Sequence, residues 1–117
     1  MIFVIDDDEI MRECIMRACG AGCEVRGFAN AIEVIGVIAE GVVPELVFLD
    51  ILLDGPDGFT LLNEMMSYMD TAKVPVVVVT SLDLAGRDLS VYGVVGVLSK
   101  DTMRPEDVRR YVTEYVK

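Results

Sequence analysis

Apolar residues in this chain follow two rhythms that take turns. Short apolar runs recur at residues 2–5, 24–28, 46–49, 76–79 and 94–98. Four of them are nearly continuous and β-branched, the pattern of strands covered on both faces. The run at 24–28 alternates instead and reads as an edge strand. Between the runs, apolar residues recur at helical spacing. Ile10, Met11, Cys14, Ile15 and Ala18 form one stripe, stopped at Gly20 and Gly22, and Ala31, Val34, Ile35 and Ile38 form a second, closed by Gly41. Phe59, Leu62, Met65, Met66 and Met69 form a third, opened by Asp57-Gly58, with the methionines expected as core filler. A weaker helix is expected over residues 84–92. The last opens at Pro105, continues with two acids suited to a helix N-terminus, and runs through Val108, Val112 and Tyr115.

Strand and helix alternating five times predict an α/β fold: a doubly wound, five-stranded parallel sheet with helices on both faces. No repeat or linker interrupts the pattern, so one domain is expected over residues 1–117. In such a sheet, ligands bind beyond the carboxyl ends of the strands. Asp6, Asp7 and Asp8 follow the first run and Asp50 follows the third. Thr80 and Ser81 follow the fourth, and Ser99 and Lys100 the fifth. In the flavodoxin-like order 2-1-3-4-5 the first and third strands are neighbours, which brings their carboxylates together. Converging carboxylates repel unless a cation sits among them, and hard oxygen ligands suit Mg2+. A lysine and a hydroxyl beside that cluster complete the equipment for phosphoryl transfer. Asp8 and Glu9 are expected to open the first helix as cap and dipole partner rather than to bind metal.

Charge and cysteine content narrow the partners. Twenty Asp plus Glu against 10 Lys plus Arg give a net charge of −10, which disfavours direct binding to nucleic acid or anionic membrane. Cys14, Cys19 and Cys23 match no zinc spacing, there is no histidine, and three thiols fit a reducing cytoplasm as packing residues. The N-terminus carries no basic leader and the longest apolar run is too short to span a bilayer.

Val4-Ile5-Asp6-Asp7-Asp8, Leu46-Val47-Phe48-Leu49-Asp50 followed eight residues later by Gly58, Val78-Val79-Thr80-Ser81 and Gly96-Val97-Leu98-Ser99-Lys100 stand in an order that resembles the receiver domains of bacterial two-component response regulators over essentially the whole chain. The resemblance implies a signalling switch in which Asp50 accepts a phosphoryl group from a phosphohistidine of a sensor histidine kinase or phosphotransfer protein. It implies that Asp7 binds Mg2+ directly, with Asp6 assisting, Asp50 contributing and the main-chain carbonyl of Leu52 completing the protein ligands. Lys100 would pair with the phosphoryl group and Thr80 would swing its hydroxyl toward it. Such a domain catalyses only its own phosphorylation and dephosphorylation, and a homodimer through the fourth helix, fifth strand and fifth helix is a further expectation. Three departures stand out: Asp101 and Asp54 replace frequent prolines, and Val97 replaces the aromatic that usually accompanies the threonine. The rival readings are a haloacid-dehalogenase-type phosphatase, with Asp6 as nucleophile and Asp8 as general acid, and a receiver-like interaction module that is never phosphorylated.

Overall fold

A computed structural model describes residues 1–53, 57–82 and 88–117. Five parallel strands, β1 (Ile2–Ile5), β2 (Val25–Phe28), β3 (Leu46–Leu49), β4 (Val76–Thr80) and β5 (Val94–Ser99), form one sheet in the order β2-β1-β3-β4-β5. The flavodoxin-like order expected from the sequence is the one observed, and β2 is indeed an edge. Helices α1 (Glu9–Ala18) and α4 (Pro105–Tyr115) pack on one face of the sheet, while α2 (Ala31–Ala39) and α3 (Gly58–Met66) pack on the other.

Each face has its own core, because successive strand residues point to opposite sides. Phe3, Ile5, Val47, Leu49, Val76 and Val78 meet Ala31, Val34 and Ile38 of α2 and Leu61, Leu62 and Met65 of α3. Ile2, Val4, Leu46, Phe48, Val77 and Val79 meet Ile15 and Ala18 of α1 and Val108 and Val112 of α4. Every residue of β1, β3 and β4 is buried. At about 25 cal/mol per Å² of apolar surface, this central slab is the main source of stability.

Helix ends follow from local chemistry. Asp8, Asn30 and Asp57 are N-caps whose side chains accept hydrogen bonds from first-turn amides. Pro105 stands in the first turn of α4, where a missing N–H costs nothing. Gly20 and Gly41, with φ of 96° and 94°, take the left-handed conformation beyond α1 and α2.

Four expectations need correction. β5 is not covered on both faces: it is the second edge, it bulges opposite Val76 and Val77, and Leu98 alone among its residues is buried. The buried stripe of α1 runs through Ile15, Ala18 and the following Cys19, while Ile10 and Cys14 are exposed. Cys14 is therefore no packing residue. On α3, Leu61 and Leu62 sit beside Met65 in the core, whereas Met66 is part-exposed and Met69, beyond the helix, is 92% exposed. Of the helix expected at 84–92, residues 84–87 lie outside the described residues and Ser90–Tyr92 is a single 3-10 turn. The three cysteines are free, and no described helix is long and apolar enough to cross a membrane.

Candidate functional site

The site is built where β1 and β3 lie side by side in parallel register, Ile5 opposite Leu49. The next residue of each strand is an aspartate. Asp6 donates its amide to the carbonyl of Phe28 at 3.0 Å, and Asp50 donates its own to the carbonyl of Ile5 at 2.9 Å. These bonds continue the sheet by one residue and fix both Cα positions. Asp6 and Asp50 are almost fully buried and Asp7 is exposed, and one carboxylate oxygen from each of the three lies within 4.8 Å of the others.

Lys100, just beyond β5, reaches back into this cluster. Its ammonium lies 2.9 Å from Asp50 Oδ2 and 3.0 Å from Asp6 Oδ2. Its amide donates to the carbonyl of Thr80 at 3.0 Å, so the ends of β4 and β5 are tied together at the site. Thr80 is fully buried, and its Oγ1 accepts from the amide of Leu82 at 3.2 Å. Asp50 Oδ1 accepts from the amide of Leu52 at 2.9 Å, and Asp6 Oδ1 accepts from the amide of Asp8 at 2.9 Å.

Burial pushes the Asp6 carboxyl above the usual carboxylate range, against the opposing pull of the Asp8 amide and of Lys100. Burial also acts to lower Lys100, but hydrogen bonds and charge attraction to Asp50 and Asp6 together outweigh it, so the ammonium is held more firmly than in a free lysine. The buried Asp6 Oδ2 faces the Lys100 ammonium at 3.0 Å and keeps lone pairs beyond that contact. One carboxylate oxygen from each of three acids, all within 4.8 Å of one another, fits a divalent ion of the Mg2+ type.

The sequence-derived residues Asp6, Asp7, Asp50, Thr80 and Lys100 thus gather at one end of the sheet. Leu52, expected to offer its carbonyl, adjoins them and is half exposed. Asp8 does not join: its Oδ1 accepts from the amides of Ile10 and Met11 at 3.0 and 3.3 Å, the work of a helix cap. That role occupies one carboxylate oxygen of the residue that the phosphatase reading needs as general acid. Asp54 lies outside the described residues. Val97, on β5, is 45% exposed. No described peptide bond is cis, the one before Asp101 included. One residue was not signalled by the sequence. Arg12 of α1 donates from Nη1 to the carbonyl of Asp6 at 2.8 Å, and a main-chain acceptor leaves no trace in a side-chain pattern.

Comparison with known proteins gives a consistent result. A family model described as the response regulator receiver domain matches residues 2–113. A protein-glutamate methylesterase/protein-glutamine glutaminase 2 of Cereibacter sphaeroides is 28% identical over 108 residues, covering 87% of this chain but 29% of that protein. The chain therefore spans less than a third of that curated relative. The crystal structure of the receiver domain of NtrX from Brucella abortus superposes with a TM-score of 0.82 at 25% identity, covering 97% of this chain and 96% of that one. The receiver domain of sensor histidine kinase PA1611 from Pseudomonas aeruginosa, with a magnesium ion coordinated in its active-site cleft, gives 0.79 at 20% identity, covering 97% and 94%.

Proposed function

Since the chain belongs to the response regulator receiver domain family, we propose that residues 1–117 act as a phosphoacceptor switch in a two-component system, with Asp50 as the acceptor. The observation that carries this reading is the convergence of the Asp6, Asp7 and Asp50 carboxylates with Lys100 ion-paired to two of them. The donor is a phosphohistidine of a sensor histidine kinase or phosphotransfer protein. An Asp50 carboxylate oxygen forms the new bond to phosphorus while the donor P–N bond breaks, and its electron pair stays on the imidazole nitrogen.

Each residue has a share in that transfer. Asp6, Asp7, Asp50 and the main-chain carbonyl of Leu52 would hold Mg2+, which supplies charge neutralisation for the phosphoryl oxygens. Lys100, a cation already 2.9 Å from Asp50, favours charge that builds on those oxygens. Thr80 carries a hydroxyl at the adjoining strand end, available to a phosphoryl oxygen once Asp50 is modified. The domain in this reading catalyses only its own phosphorylation and dephosphorylation. Its cytoplasmic setting accords with free thiols, and its net charge of −10 speaks against direct binding to nucleic acid. Self-association through the face formed by β5 and α4 belongs to the same reading.

Incubation with acetyl phosphate or phosphoramidate and Mg2+, followed by mass mapping, tests the assignment. Label is expected on Asp50, abolished in Asp50→Asn and weakened in Asp6→Asn. Label on Asp6 would instead mark a phosphatase-type nucleophile and end the receiver mechanism for this chain.

A further inference from the structure

Arg12 lies outside the set of acids, hydroxyl and lysine, yet it is built into their support. Its guanidinium donates to the carbonyl of Asp6 at 2.8 Å. Its stem crosses β2 at Gly27, where an added Cβ would stand 3.1 Å from Arg12 Cδ and 3.4 Å from Cγ. Gly27 pairs with Val4, and Phe28 with Ile5. The stem thus runs along the edge strand toward the end of β1, and its head closes on the first residue beyond it. The amide of Asp6 is tied to β2 through Phe28, and its carbonyl is tied to α1 through Arg12. With Asp6 held by its amide on one side and its carbonyl on the other, the peptide joining Asp6 to Asp7 has a set orientation, which fixes the main-chain position from which the exposed Asp7 carboxylate projects.

We propose that Arg12 is a positioning residue for divalent-cation binding at Asp6, Asp7 and Asp50, acting through the Asp6–Asp7 peptide. The inference rests on reading those acids as a Mg2+ site. Its strength is that charge and positioning predict opposite outcomes. Arg12 is itself a cation, so on charge alone its removal would strengthen the binding of a second cation. If it orients the ligands, its removal weakens binding, as loss of a supporting partner behind a metal ligand usually does. Both effects act on the same Kd with opposite sign, and loss of a metal ligand's support, typically about ten- to a hundredfold, is the larger one expected.

Calorimetric titration of the 117-residue chain with MgCl2 at about 0.15 M ionic strength decides between them. Arg12→Met keeps an apolar stem but removes every donor, and its Kd is expected to rise about tenfold. Arg12→Lys, which restores one donor, should fall between Arg12→Met and the unaltered protein. Metal-free thermal melts of the same variants report the fold separately. A lowered melt with unchanged Kd would make Arg12 a staple between α1 and β2 and overturn the proposal, as would tighter binding in Arg12→Met. Should Arg12→Met not melt cooperatively, Arg12→Gln carries the same test, because it lacks both charge and reach. Asp7→Ala serves as the control on the metal reading. If it binds Mg2+ as tightly as the unaltered protein, the site itself is wrong and the role of Arg12 falls with it; weak binding in Asp7→Ala beside unchanged binding in Arg12→Met overturns Arg12 alone.

Discussion

Leu52 and Leu82 stand two residues past Asp50 and Thr80, and each uses its amide to hold the side chain it follows. Their own side chains are 50% and 44% exposed at the mouth of the site. Neither can orient a water for attack on an aspartyl phosphate, and both are bulky enough to exclude one. A missing water-positioning contact is worth one to a few kcal/mol, or about tenfold in rate. Once phosphorylated on Asp50, the protein should therefore lose the group slowly. Leu52→Asn with Leu82→Glu should shorten the phosphorylated half-life about tenfold, followed as loss of labelled protein after donor removal. An unchanged or longer half-life would defeat the gating argument. Elsewhere, a single side chain carries a pH signature. Burial, with a smaller push from Cys23, raises the Cys19 thiol from 9.0 to about 12. The folded state then holds this proton more tightly than the unfolded chain does. Its contribution to stability is intact below pH 9.0 and is lost as pH climbs toward about 12, by at most about 1.4 kcal/mol per pH unit. Urea midpoints should fall across that alkaline window, and Cys19→Ala should flatten the fall. An equally steep fall in Cys19→Ala would assign it to other groups.

At the scale of elements, the approach of α3 to the site is set by Gly58. A Cβ there would stand 2.7 Å from Ile51 Cα and 2.8 Å from the carbonyl of Asp50, both main-chain atoms that cannot step aside cheaply. Gly58→Ala should force α3 away from the end of β3 and cost about 1–3 kcal/mol by overpacking. Its denaturation midpoint should drop accordingly, and labelling by acetyl phosphate should weaken as well if Asp50 is the acceptor proposed above; a midpoint equal to that of the unaltered protein would show that the contact relaxes freely. The same scale shows what the sequence could and could not disclose. β1, β3 and β4 were legible because they are short continuous apolar runs, each ended by a polar residue, a pattern that suits a strand covered on both sides. The site was legible because its side chains directly follow those strands. β5 was misread for a physical reason: a valine-rich strand looks the same whether or not a helix covers it, and Val95 and Val97 remain about half exposed. Ile10 and Cys14 were misassigned on α1 because an apolar residue beside a buried stripe fits the period nearly as well as one within it. Met69 was misassigned because the repeat ran past the end of the helix, and Met66 because it flanks the buried stripe in the last turn.

Across the whole molecule, the charge change at Asp50 must reach a surface if the domain is to signal. A phosphoryl group adds about 1.5–2 negative charges at neutral pH, in a protein already at −10. The cation nearest to it is Lys100, which bridges Asp50 and Asp6 and whose amide is bonded to the carbonyl of Thr80. Redistribution of that lysine between carboxylates and phosphoryl oxygens therefore pulls on the ends of β4 and β5 together. With valine at position 97 there is no large ring to swing between buried and exposed positions. What β5 offers instead is thin cover: Val95 and Val97 stand half exposed on the strand, and the hydroxyl of Tyr111 from α4 lies directly over Gly96, leaving no room for a Cβ. Small shifts of β5 would thus be transmitted to α4 through Tyr111 rather than through a side-chain flip. Chemical shifts recorded with and without a beryllofluoride mimic should change at Thr80, Leu82, residues 96–100 and Tyr111. Changes restricted to Asp50 and its immediate neighbours, with β5 and α4 silent, would rule out a switch of this kind.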